Sequence, residues 1–358
     1  MNQASAGFYA GKSVLVTGHT GFKGAWLARW LQRLGARVTG FALAPETTPS
    51  LFSLARLAET MTSVTGDVRD RRAVEEVVSE AAPELVFHLA AQALVRRSYR
   101  EPVETYATNV MGTAHLLEAC RHASSVRAIV IVTSDKCYEN REWEWGYRED
   151  EAMGGADPYS SSKGAAELVT AAYRRSFFHE PGAAGLASAR AGNVIGGGDW
   201  SEDRLFPDLV RGATEQRPIT IRNPAATRPW QHVLEPLSGY LLLAEQLFAH
   251  RDRFGKAYNF GPTSEDTRAV GAVAERFVAA LGQGELSLAP PDPSAPHEAG
   301  RLTLDSSRAR AELGWRPRLG LDAAVELTAA WYREHLRAPG HERTLMDQQI
   351  DDYASRRP

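Results

Sequence analysis

The 358-residue sequence predicts an α/β fold, a doubly wound parallel sheet with a smaller domain at its C-terminal end. Three observations carry that prediction. Short apolar runs at 13–17, 37–43, 85–89, 128–132 and 186–190 alternate with stretches of helical periodicity, the rhythm of repeated strand–helix–strand units. The first run enters a glycine-spaced turn, Gly18-His-Thr-Gly21-Phe-Lys-Gly24, that opens a helix at 25–34, which is how a Rossmann-type sheet begins. The run at 128–132 leads at once into Thr133, Ser134, Asp135 and Lys136. In an open parallel sheet, ligands bind just beyond the carboxyl ends of the strands.

The bulk properties exclude several classes. A net charge of −3 leaves no basic footprint, so no nucleic acid is expected as a partner. Apolar residues at 43% and charged residues at 24% are those of a soluble globular chain. Cys120 and Cys137 are the only cysteines and stand in no metal-ligand spacing, so reduced thiols, a cytoplasmic location and no metal are expected. The first twelve residues lack a signal-like apolar segment, and no run is long enough to span a bilayer, so no membrane partner is expected.

Taken in order, Gly18 permits the tight turn after the first strand, Gly21 admits a pyrophosphate to the backbone, and Gly24 allows helix and strand to pack closely. The helix start offers free N–H groups and a positive dipole end to that pyrophosphate. Thr20, Phe22 and Lys23 complete the loop. The second strand, 37–43, ends in Phe41-Ala42-Leu43, without an acid or an arginine to choose between NAD and NADP. Asp67, followed by Val68, is placed to accept from an adenine amino group, or else to cap the helix over 70–81. The strand at 85–89 ends in Leu89-Ala90-Ala91, small enough for a cofactor to lie against, and His88 inside it reads as a core histidine.

A helix over 102–122 precedes the central strand, and another carries Tyr159 and Lys163. These two lie four apart on one helical face, where an ammonium favours the anion of a nearby phenol. Residues 139–156, with Trp143, Trp145 and Tyr147, read as a loop over the site, or as a loop packing on its own small core. Beyond 190 the composition shifts to Gly192-Asn193-Val-Ile-Gly196-Gly-Gly-Asp199-Trp200, a natural exit from the first domain. Asn193 and Arg204 are placed to reach a phosphate, with a loop-capping Asn and a solvated Arg as the alternatives. Arg228, just before the apolar helix at 236–248, suits a bidentate phosphate contact. The run at 257–260 reads as a last strand returning to the sheet. Helices at 269–281 and 322–336 flank a proline-rich connector, and 341–358 reads as a polar tail on the surface.

The glycine turn together with Tyr159-x-x-x-Lys163 resembles the extended short-chain dehydrogenase/reductase family. Thr133-Ser-Asp-Lys-Cys-Tyr138, Asp157-Pro-Tyr-Ser160, Gly196-Gly-Gly-Asp-Trp200, Arg228-Pro-Trp-Gln-His-Val-Leu-Glu-Pro-Leu237 and His297-Glu-Ala299 with Leu304-Asp305 are similar to its nucleotide-sugar dehydratase branch. The similarity runs over about 10–320. Relatives acting on dTDP-sugars carry Asp-Glu where this chain has Asp135-Lys136.

The resemblance implies NAD as cofactor and CDP-glucose as substrate. It implies a dinucleotide domain from 10–192 with 228–262, and a nucleotide-sugar domain from 193–227 with 263–340. It also implies a homodimer pairing the helices near 102–122 and 159–177. Tyr159, helped by Lys163, would take the 4-hydroxyl proton while the C4 hydride moves to NAD, and Ser134 would hydrogen-bond the same oxygen. Lys136 would remove the C5 proton and Asp135 would protonate the departing C6 hydroxyl. Asn193, Arg204, Arg228 and Arg301 would hold the substrate. A nucleotide-sugar epimerase needs no acid–base pair after the strand, another nucleotide hexose would change only the base site, and a silent NAD sensor would have no use for Tyr159 or Lys163. The plainest alternative for Asp135 and Lys136 is a surface ion pair.

Overall fold

A computed structural model describes residues 7–221, 223–263, 266–288 and 300–357. The His297-Glu-Ala299 motif and the proline-rich connector at 290–296 lie outside the described residues.

Seven strands form one parallel sheet: β1 (Ser13–Thr17), β2 (Arg37–Ala42), β3 (Thr62–Thr65), β4 (Leu85–His88), β5 (Ala128–Val132), β6 (Gly185–Ala191) and β7 (Ala257–Phe260). Their spatial order is β7-β6-β5-β4-β1-β2-β3. The order reverses between β1 and β4, where Thr17 pairs with His88, and such a reversal opens a crevice above the strand ends. Alternate β1 residues face opposite sides, as a strand covered on both faces requires. Val14 and Val16 join Trp26, Leu27 and Trp30 of helix α1 (Phe22–Arg33). Leu15 joins Val74, Val77 and Val78 of α2 (Arg71–Ala81) on the other face.

The helical stretch over 102–122 forms in three consecutive pieces, Pro102–Tyr106, a π turn at Ala107–Met111, and Gly112–His122, together α3. Its Leu116 and Leu117 are fully buried in the same cluster as Leu15. Next come α4 (Pro158–Ser176), α5 (Leu205–Thr214), α6 (Leu234–Ala249), α7 (Val270–Leu281) and α8 (Leu321–Arg337). Beside the carboxyl ends of the sheet, Ile219–Ile221 pairs with Leu286–Leu288, and Thr227–Pro229 pairs with Thr267–Ala269. One continuous apolar cluster reaches from Val14 through Leu237 to Phe277 and Trp331. Among the described residues no helix is long and apolar enough to cross a membrane.

The C-terminal segment differs from the surface tail expected at 341–358. It forms α9 (Glu342–Ser355), with Met346, Ile350 and Tyr353 buried at helical spacing. The Arg29 guanidinium grips the Asp347 carboxylate through two bonds of 2.6 Å, and the Tyr353 hydroxyl donates to Glu235 Oε2 at 2.9 Å. Met346, Ile350 and Tyr353, with Leu345 beside them, make a narrow stripe among many charges, and pairing those charges with α1 lets the stripe dock. Met346→Ala should therefore lower the unfolding free energy by about 2–5 kcal/mol, the cost of a truncated core methionine. A urea titration showing a change within about 0.5 kcal/mol, as at an unpacked surface, would contradict the docking.

Candidate active site

The crevice begins at the turn after β1. Gly18 has φ +75°, and a Cβ there would stand 2.6 Å from the Ala90 nitrogen. A Cβ at Gly24 would stand 2.1 Å from the Gly18 carbonyl oxygen. Both glycines are thus required by the protein's own backbone. At Gly21 the nearest atom to a Cβ is the Gly18 carbonyl at 3.4 Å, an ordinary contact. The protein's own backbone thus does not require a glycine at 21. Gly21 caps α1 without a side-chain acceptor, which leaves the first-turn N–H groups without a side-chain cap.

Around this turn the side chains are fixed from below. Thr20 Oγ1 donates to the Leu43 carbonyl at 2.9 Å, and fully buried His19 hydrogen-bonds Ser63 Oγ through Nε2 at 2.7 Å. His88 is the core histidine expected: Nδ1 bonds Thr17 Oγ1 at 2.7 Å, Nε2 bonds Thr113 Oγ1 at 3.2 Å, and burial lowers it to about 3.

A cavity of about 1320 Å³ follows the carboxyl ends of the sheet. Gly18, Thr20, Gly21, Phe22, Lys23 and Gly24 line one end, with Asp67, Val68, Leu89, Ala90 and Ala91 beside them. Ser134, Asp135, Lys136, Tyr159 and Lys163 line the middle, and Asn193, Arg204 and Arg228 the far side. Arg301 is not brought to the cavity. It is exposed, and its carbonyl accepts from Asn140 Nδ2 at 3.1 Å. The loop 139–156 lines no part of the cavity either. Tyr147 stacks on Tyr138 at 5.2 Å and exchanges backbone bonds with Thr303 and Asp305, so the loop packs on a small core of its own with Leu302 and Leu304.

Helix α4 starts where it does because Asp157 caps it, accepting from Ser160 N at 2.9 Å, with Pro158 at the first position. That start turns Tyr159 and Lys163 inward, 8% and 6% exposed. Across from them Ser134 caps the short turn Asp135–Cys137, accepting from Lys136 N at 3.2 Å and donating to Asp135 Oδ1 at 3.0 Å. Asp135 is 2% exposed, and its Oδ2 has no hydrogen-bond partner among the described residues. This is a buried carboxyl and not a surface ion pair.

Burial shifts Tyr159, Lys163, Lys23 and Asp135. It pushes the Tyr159 phenol up to about 12, against the downward pull of the Ser134 hydroxyl and the Arg204 guanidinium. The charge of Arg204, which lines the far side of the cleft, thus acts on the phenol. Burial lowers Lys163 to about 8, with the Glu167 carboxylate opposing. Half-buried Lys23 falls to about 7 through burial and the nearby charges of Arg204 and Lys163. Burial raises the Asp135 carboxyl, against the charges of Lys136 and Arg228. A raised carboxyl keeps its proton to higher pH than a free one does.

Some roles were visible only in part. Asp67 does not cap α2, because Asp70 does, accepting from Arg72 N at 2.9 Å. Instead Asp67 lines the cavity with its carboxylate held low by the Arg69 guanidinium. Asp199, 4% exposed, accepts from Arg204 Nη1 at 3.4 Å and so orients it. Arg228 Nη1 donates to the carbonyls of Thr227 at 2.9 Å and Gly300 at 3.2 Å. Glu167, one turn past Lys163, is buried behind the site. Its one signal in the sequence is an acid on the buried face of α4.

A family model described as GDP-mannose 4,6 dehydratase matches residues 15–328. The chain belongs to that family. Among curated members of this dehydratase family, a CDP-glucose 4,6-dehydratase of Salmonella typhimurium is 50% identical over 353 residues, covering 97% of this chain and 98% of the relative. A dTDP-glucose 4,6-dehydratase of Streptomyces niveus is 27% identical, with 90% and 93% covered. Among solved structures, a UDP-glucose 4-epimerase of Thermus thermophilus in complex with NAD superposes with a TM-score of 0.76 at 26% identity, covering 89% of this chain and 98% of that one.

The two kinds of glycine can be told apart by stability. Gly24→Ala should cost about 1–3 kcal/mol or more, because the new methyl meets backbone. Gly21→Ala should cost under about 1 kcal/mol, the price of a poorer helix cap alone. Equal losses in urea denaturation would mean that the protein, and not a ligand, dictates Gly21.

Proposed function

We propose that this protein is an NAD-dependent CDP-glucose 4,6-dehydratase, converting CDP-glucose to CDP-4-keto-6-deoxyglucose and water. The observation that carries the reading is the buried acid Asp135 next to Lys136, set in one cavity with Ser134, Tyr159 and Lys163. An epimerase has no use for that pair. The relative of 50% identity supports CDP-glucose over other nucleotide sugars.

The residues fit NAD. Gly21 leaves room that the protein does not fill, the capless start of α1 suits a diphosphate, and Lys163, in the same cavity, would stand by the nicotinamide. Asp67 and Val68 would border the adenine. NAD, when bound, accepts the C4 hydride and later supplies it to C6. Tyr159 takes the proton of the 4-hydroxyl while Ser134 hydrogen-bonds that oxygen. The resulting 4-ketone acidifies C5, and Lys136 removes its proton and gives one back to C5 when the hydride reaches C6. Asp135, whose hold on a proton burial strengthens, delivers its proton to the departing C6 hydroxyl. Arg204 and Arg228, with Asn193, hold the diphosphate side of the substrate. On this reading residues 10–192 with 228–262 form the dinucleotide-binding part, and 193–227 with 263–340 the sugar-nucleotide part.

The assembly follows from exposed apolar side chains. Val103, Tyr106 and Met111 on α3 and Leu168 on α4 are 81%, 40%, 51% and 61% exposed. Their faces would pair with those of a second copy, giving a homodimer of two helices from each subunit. The buried, unpaired thiols of Cys120 and Cys137 suit a reducing cytoplasm.

Purified protein should convert CDP-glucose with loss of the mass of one water when NAD is present, and turn over dTDP-, GDP- and UDP-glucose poorly. A product of unchanged mass would mark an epimerase, and no turnover of any of the four would end the enzymatic reading.

Lys136→Ala should still oxidise C4 but lose about 10²–10⁴-fold in release of dehydrated product, with the absorbance of the reduced cofactor persisting. Wild-type turnover in deuterated water should place deuterium at C5. Release of product by Lys136→Ala at the wild-type rate would take Lys136 out of the mechanism.

A further inference from the structure

Glu167 lies one helical turn beyond Lys163 on α4 and is 4% exposed. Its Oε1 accepts from Thr133 Oγ1 at 2.5 Å. Its Oε2 accepts from Ser188 Oγ and from Arg190 Nη2, both at 2.7 Å. One carboxylate thus ties the ends of β5 and β6 to α4. Thr133 is the residue before Ser134, so the tie ends next to the hydroxyl facing Tyr159. Arg190, also 4% exposed, donates to the Tyr138 hydroxyl at 2.7 Å and the Glu149 carbonyl at 3.1 Å.

Burying an ion pair is no efficient source of stability, because desolvation of both charges offsets their attraction. Apolar side chains of similar size could hold α4 on the sheet equally well. What they could not supply is a fixed negative charge one turn from Lys163.

We propose that Glu167 is a positioning residue of the active centre: its carboxylate keeps Lys163 an ammonium and, through Thr133, fixes Ser134 against α4. The inference rests on the dehydratase reading for the meaning of the two groups that Glu167 serves.

The charges around Lys163 show why one carboxylate matters. Tyr159 shares its helix, Asp135, Lys136 and Cys137 face it from the turn after β5, His88 from β4, and Lys23 from the start of α1. Arg190 stands behind Glu167. Lys163 is repelled by Lys23, and burial already lowers it to about 8, with Glu167 the leading opposing influence. Glu167 itself stays ionised, because Arg190 and the Thr133 and Ser188 hydroxyls outweigh its burial. Removing its charge would let Lys163 lose its proton near neutrality, and a neutral amine no longer favours the phenolate.

The test is direct because the chain holds only five lysines, Lys12, Lys23, Lys136, Lys163 and Lys256. In protein labelled with ¹⁵N-lysine, the Lys163 Nζ signal, assigned by its loss in Lys163→Arg, is titrated by NMR without cofactor. Glu167→Gln should lower the proton affinity of Lys163 about tenfold. The alkaline limb of kcat should move to lower pH by the same factor, with KM for CDP-glucose within about twofold, since the substrate site is untouched. Glu167→Asp retains the charge and should restore the limb to its wild-type position. Thr133→Val also retains it, and should reduce kcat alike at every pH by loosening Ser134.

A folded Glu167→Gln protein whose Lys163 titration and alkaline limb match the wild type overturns the proposal. Should Glu167→Gln fail to fold, the pair Glu167→Gln with Arg190→Met leaves no orphan buried charge, and an unmoved Lys163 titration in it overturns the proposal equally. Failure of the dehydratase reading looks different: the wild type itself dehydrates no sugar nucleotide, while the Lys163 titration still reports on Glu167.

Discussion

The active centre depends on the carboxyl end of β5 being held against α4, because those two segments carry all five groups assigned to the chemistry. Ser134, Asp135 and Lys136 follow β5, and Tyr159 and Lys163 project from α4. Nothing in either segment alone brings them face to face. The contact is made by Glu167, which accepts from Thr133, Ser188 and Arg190 and so gathers two strand ends under one helix. Charge-assisted bonds of this kind have narrow geometry, which apolar packing lacks.

Burial then sets the chemical character of each group. The same desolvation that raises the carboxyl of Asp135 lowers the ammonium of Lys163 and raises the phenol of Tyr159. A carboxyl with a strengthened hold on its proton and a cation brought closer to its titration point suit proton transfer. Three cations, Lys23, Lys163 and Arg204, act on one another across the cleft, with Asp135 as a counter-charge. A ligand bearing phosphates would relieve that repulsion, so its binding and the protonation of these groups are linked.

The glycine turn shows two kinds of requirement in one motif. Gly18 and Gly24 are dictated by backbone that a Cβ would strike, whereas a Cβ at Gly21 meets only an ordinary contact and opens toward the cleft. The cavity joins this turn to the catalytic groups and then to Arg228, at the entry to the small antiparallel pair formed with Thr267–Ala269. A dinucleotide at one end and a sugar nucleotide at the other would meet at Ser134 and Tyr159.

The sequence by itself determined the parallel sheet and the place of the site along the chain. Apolar period, glycine spacing and the polar run after β5 are local signals, and burial on both faces of a parallel strand leaves few alternatives. Even the strand at Ala257–Phe260 was legible in its four residues. The tertiary structure decided what depends on contacts between distant segments. The helix at Glu342–Ser355 reads as polar until Arg29 and Arg33 pair with Asp347 and Asp351, and Met346, Ile350 and Tyr353 then find a core. Arg301 shares a residue type with Arg228, but the path of the backbone leaves it outside the cavity. The loop with Trp143 and Trp145 turned to Leu302 and Leu304, partners more than a hundred residues away. Glu167 looked like any acid on a helix, and only the convergence of β5, β6 and α4 made it a buried clamp, because desolvation and pairing are properties of the assembled interior.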